Sequence, residues 1–93
     1  MKAYQLIEWG SDVVLDVRRA IDCAKYQAAG MVEIGENHDE IFITIDLVFN
    51  DFRLPCRMKR KIPAIYIEQG YVTKQEVRQV FISQLKKVTE VYQ

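Results

Sequence analysis

The stretch EIFITIDLVFNDFRLPCRM, Glu40 to Met58, decides the fold. Its first half alternates, with Ile41, Ile43, Ile45, Leu47 and Phe49 on one side and Phe42, Thr44, Asp46 and Val48 on the other. A period of two is the mark of a strand buried on one face only. Folding the chain back at Asn50-Asp51 predicts a hairpin that sets Phe49 against Phe52, Leu47 against Leu54, Ile45 against Cys56 and Ile43 against Met58. The opposite face then pairs Val48 with Arg53, Thr44 with Arg57, Phe42 with Lys59 and Glu40 with Lys61. A slip of one residue would turn one strand over and place Arg against Ile, so the pattern excludes it. Asn and Asp also tolerate the positive φ that a two-residue turn requires.

Working back towards the N-terminus, Met31 to Gly35 reads as a strand, and Glu36-Asn37-His38-Asp39 as its loop into the hairpin. A four-residue loop matches Ile34 to Ile41 and Val32 to Ile43, which extends the hairpin to a three-stranded antiparallel meander. Asp12 to Ala29 is expected to be a helix with Ser11 as N-cap and Gly30 just past its end. At about 100° per residue, Val13, Val14, Val17, Ala20, Ile21, Ala24 and Ala28 form its apolar stripe. Leu15 and Tyr26 fall outside that stripe, near Arg19, and these three make a candidate outer contact face. Lys2 to Trp9 is rich in β-favouring residues and stops at Gly10-Ser11, so a short strand is expected there.

Beyond the hairpin, Pro63 lacks a ladder donor, which makes Ala64 to Glu68 an expected edge strand. Gln69-Gly70 reads as a turn. Thr73 followed three residues later by Glu76 is the signature of a capping box. A helix from Lys74 to Tyr92 follows, with Val77, Val80, Phe81, Leu85, Val88, Val91 and Tyr92 as its buried stripe. Gln84 interrupts that stripe, and a buried amide without partners costs about 1–3 kcal/mol. The expected order is therefore β-α-β-β-β-(β)-α: one α+β domain over residues 1–93, an antiparallel sheet with two helices on one face.

The composition narrows the function classes. An apolar content of 49% suits a globular chain, and no apolar run is long enough for a membrane span. The start lacks the apolar core of a signal peptide, and Cys23 and Cys56 are too few for a disulfide scaffold, so a reduced cytoplasmic setting is expected. Net charge is zero, but residues 1–52 carry ten acids and four bases, and residues 53–93 three acids and nine bases. The densest charge is Arg53, Arg57, Lys59, Arg60 and Lys61, a candidate basic ribbon on one strand that could follow phosphates. Glu40 and Asp46 lie across from or diagonal to parts of it, and Phe42 offers Lys59 a cation–π partner. Glu33, Glu36, Asp39, Glu40, Asp46 and Asp51 form an acidic stretch, such as a basic protein partner would meet.

Catalytic signals are weak. His38 is the only histidine and shares a loop with Glu36 and Asp39, which is a solvated turn rather than a metal site. Cys56 points to the core in this register and Cys23 has no nearby base, so neither has the surroundings of a reactive thiol. No Gly-rich phosphate loop, nucleophile elbow or ExK-type nuclease signature is present in the sequence, and no cofactor is expected. The expectation is a small non-catalytic binding domain that acts through protein–protein contacts, self-association included. The competing expectation is nucleic-acid binding through Arg53–Lys61.

Overall fold

The computed structural model of the chain describes residues 1–23, 25–49 and 56–91. Their order is α1 (Ala3–Ile21), β1 (Tyr26–Ile34), β2 (Glu40–Phe49), β3 (Cys56–Pro63), α2 (Ala64–Glu68) and α3 (Lys74–Val91). The strands form one antiparallel sheet, β1-β2-β3, with helices packed on it, which is the expected α+β class. Ile41, Ile43, Ile45 and Leu47 of β2 have no solvent exposure. They meet Leu6, Val13 and Val17 of α1 and Phe81 and Leu85 of α3 in one core. Each such side chain contributes about 1.5–3 kcal/mol by leaving water.

The first connection follows the sequence reading: Ile34 faces Ile41 and Val32 faces Ile43. In the hairpin, the faces hold but the register moves by two residues. Leu47 pairs with Cys56, Ile45 with Met58 and Ile43 with Arg60. A shift of two keeps every side chain on its face, so alternation alone cannot detect it. The expected turn at Asn50-Asp51, Arg53 and the pairs to Phe52, Arg53 and Leu54 lie outside the described residues.

The N-terminal third differs more. Residues expected as a strand belong to α1, because Leu6, Trp9, Val13 and Val17 share one helical face and are all buried. Gly10 reads as a stop but serves contact. A Cβ there would stand 2.8 Å from a methyl of Val32 and 3.5 Å from one of Ile41. α1 also ends earlier than expected, at Ile21. Asp22 accepts a hydrogen bond from the Ala28 amide, and the Cys23 amide donates to the Tyr26 carbonyl at 3.0 Å, turning the chain into β1. Tyr26 to Gly30 then pair with Phe49 to Ile45, and ladder bonds with burial of Ala28 outweigh the helix preference of Ala. Gly30 is not a helix end: a Cβ there would fall 2.3 Å from Val14 Cγ1, so its bareness lets α1 lie on β1.

The expected fifth strand is α2, since Ala64 and Ile67, three apart, are the buried pair. Gly70, at φ +75°, closes α2 as expected of a turn, with the Gly70 amide donating to the Ile67 carbonyl and that of Tyr71 to Tyr66. At the next helix the Glu76 amide donates to Thr73 Oγ1 at 3.2 Å, the expected N-cap. α3 is rotated relative to the expected stripe. Ile82 and Thr89 join Val77, Phe81 and Leu85 inside, whereas Val80 is exposed and Gln84 half-exposed. The rotation follows from α3 packing against α1, where Lys74 Nζ also reaches Asp12 Oδ2 at 2.6 Å. Gln84 thus needs no buried partner.

Candidate functional site

Three surfaces carry the chemistry suggested by the sequence. The first is the outer face of the sheet. Arg57 lies directly across from Asp46, its Nε 2.7 Å from Oδ1 and its Nη2 3.2 Å from Oδ2. This two-pronged bond holds the Asp46 carboxyl below the usual carboxylate range and raises the Arg57 guanidinium. The Lys59 ammonium sits 4.8 Å above the Phe42 ring, as the sequence suggested, although their Cα partners are Thr44 and Lys61. Lys61 Nζ is 3.6 Å from Glu40. Glu33, Glu40 and Asp46 therefore stand on the same face as Arg57, Lys59 and Lys61, three acids to three bases. Thr44, expected to be wet, is buried here between neighbouring strands.

Arg60 does not belong to that ribbon. The pleat turns it to the helix side, where it lines a shallow groove with Ile62, Val72, Glu76, Val77 and Val80. Lys87, Ser83 and Gln84 continue the groove along α3. The five candidate basic residues are thus divided: Arg57, Lys59 and Lys61 face outward and largely neutralised, and Arg60 lies in the groove. Arg53 lies outside the described residues.

The second surface is the polar loop after β1. His38 occupies a left-handed turn (φ 57°), its amide donating to the Gly35 carbonyl at 2.9 Å. Glu36 and Asp39 are exposed beside it, and the described residues contain no group of three potential metal ligands. Cys23 is exposed, and its thiol is lowered chiefly by the Lys25 backbone, whereas Cys56 is half-buried against the core. The chain turn that precedes β1 brings the Lys25 backbone and Tyr26 to Cys23.

The third surface combines the outer edge of β1 with one side of α1. Among the described residues no strand pairs with that edge. From Gln27 to Val32 it carries no charge, and Met31 is 52% exposed beside it. Strand β3, the opposite edge, carries Arg57, Lys59, Arg60, Lys61 and Pro63, the residues that discourage further pairing. Above β1, Tyr4, Ile7 and Leu15 are 62%, 43% and 46% exposed. At about 100° per residue they share, with Ser11 and Arg18, a stripe about 80° wide. Of the candidate outer face, Leu15 is in this stripe; Arg19 is beside it, 4.0 Å from Asp16, and Tyr26 is in β1 rather than on the helix. Tyr4 and Ile7 were missed because their segment reads as a strand. Their spacing of three, continued to Leu15 through Ser11, was the available signal. Compared with known proteins, the chain matches no family model, no curated protein and no solved structure.

Proposed function

We propose that this chain is a small non-catalytic binding domain that acts through protein–protein contacts in the cytoplasm. One observation carries the reading: the Gly30–Val32 stretch of the β1 edge, uncharged and paired to no strand among the described residues, flanked by exposed Tyr4, Ile7, Leu15 and Met31. Open edges offer backbone donors and acceptors to another strand, and exposed apolar side chains add the area that stabilises such a contact. The nucleic-acid reading has less support, because each outward base of β3 has a carboxylate or an aromatic ring as neighbour. No helix among the described residues is long and apolar enough to cross a membrane.

Site-specific photo-crosslinking in cells tests this reading. A benzoylphenylalanine in place of Met31 or Leu15 should form protein adducts, and one in place of Gln75, exposed on α3, should not. Adducts to nucleic acid from Lys59, with no protein adduct at 15 or 31, would overturn it.

A further inference from the structure

We infer that the open edge of β3 takes an extended acidic segment of a partner protein, added as a fourth strand beside α3. This site is separate from the contact at β1 and does not depend on it.

The backbone along β3 is free to pair. The Ala64 amide donates to the Asp39 carbonyl at 2.8 Å, which continues the pairs Ile62–Ile41 and Arg60–Ile43. Even-numbered residues of β3 therefore turn their amides and carbonyls to β2, and those of Arg57, Lys59 and Lys61 point away from it. Among the described residues no group bonds these outward amides. At β1, by contrast, Asp22 holds the Ala28 amide and the Cys23 amide holds the Tyr26 carbonyl. Pro63, the next outward position of β3, has no N–H and ends the row.

The side chains state what the added strand must carry. A strand about 4.8 Å beyond β3 runs along the groove that Ile62 shares with Val72, Val77 and Val80. Arg60 and Lys87 line the groove, and neither has a carboxylate partner among the described residues. On the outer face Arg57 and Lys61 are answered by Asp46 and Glu40, whereas Lys59 has only the Phe42 ring. Three unanswered bases thus face one acid of the groove, Glu76, which already accepts from Thr73 Oγ1. A carboxylate opposite Lys59, another opposite Arg60 and an apolar residue opposite Ile62 complete this edge. A second copy fits poorly. Its own β3 repeats the bases, and its free stretch from Gly30 to Ile34 brings Glu33 alone. The charges that discourage a copy select an acidic strand.

Fluorescence anisotropy with the labelled peptide Val-Thr-Glu-Glu-Val-Thr tests the site, since in antiparallel register it runs from Ile62 to Arg57. Wild type should bind it at least about 10-fold more tightly than the counterpart with two central lysines. Arg60→Glu with Lys87→Glu should weaken binding by about 10-fold or more. Lys25→Glu with Lys86→Glu changes the net charge equally and should leave binding unchanged. An unchanged thermal melt shows that each double variant is folded. Methylating alternate peptide nitrogens removes the ladder bonds, keeps the charge and should abolish binding. Amide exchange at Lys59 and Lys61 should slow in the complex. No binding by wild type, equal binding of the methylated peptide, or unchanged exchange at those two amides overturns the inference. Protection of the same amides in concentrated protein without peptide would put a second copy at this edge and overturn it as well.

Discussion

The contact between Gly30 and Val14 decides where α1 and β1 lie, and a double-mutant cycle reads it directly. In Gly30→Ala the new Cβ would meet Val14 Cγ1 at 2.3 Å and Cγ2 at 3.0 Å, so helix or strand must shift. Overpacking of this kind costs about 1–3 kcal/mol. Val14→Ala removes two buried methyl groups and costs about 1.5–2.5 kcal/mol. In the double mutant both clashing methyls are gone, although Val14 Cβ remains tight at 3.2 Å. Its loss should be smaller than the sum of the single losses by about 1–2 kcal/mol. Urea unfolding followed by far-ultraviolet dichroism suffices, since a 2 kcal/mol loss moves the midpoint by about 1–2 M for a chain of this size. Were Asp12 to Ala29 one helix, Val14 and Gly30 would be about 24 Å apart and could not couple. Losses that add to within about 0.5 kcal/mol would refute the placement of α1 on β1.

Three further outcomes follow from the same geometry. Ile45→Ala, at a site with no exposure between Gly30 and Met58, should lose about 2–5 kcal/mol in the same assay; a loss under 1 kcal/mol would deny the central position of β2. Thr73→Ala should lose about 1 kcal/mol and speed hydrogen exchange at the Glu76 amide, and unchanged exchange would mean that the cap bond is absent. The Asp46–Arg57 pair should give an acid-sensitive stability. Its folded carboxyl titrates lower than the unfolded one at about 3.9, so its contribution is present above pH 4 and fades as pH falls through the folded value. Both side chains are partly exposed, so Asp46→Asn should cost no more than about 1 kcal/mol at pH 7 and less near pH 2. An equal loss at both pH values would contradict this account of the pair.

The β-rich centre was legible because its code is local. Alternation in β2, and the short loop before it, fix which face is buried and how β1 meets β2. The hairpin register was less so, because a shift of two preserves every face, and Asn50-Asp51 looked like a sufficient turn. The ends of the chain were misread where residues answer to distant partners. Gly10 and Gly30 look like punctuation, yet each is small because another element crosses it. Ala28 and Ala29 favour helix in isolation and are drawn into β1 by pairing with Leu47 and Asp46. The candidate site followed the same division. Basic residues stand out in a sequence, but the carboxylates that answer them do so across strands. The open edge of β1 is visible only once the three strands are in order.

Hydrogen exchange along β1 tests the central claim most directly. Every second amide of an edge strand points away from its neighbour. Residue-resolved exchange should show the outward amides of Gly30, Val32 and Ile34 protected in cell lysate and exchanging fast in the purified, dilute chain, with the Ala28 amide held by Asp22 in both. Gly30, Val32 and Ile34 amides that exchange at free-chain rates in both conditions would contradict pairing through this edge.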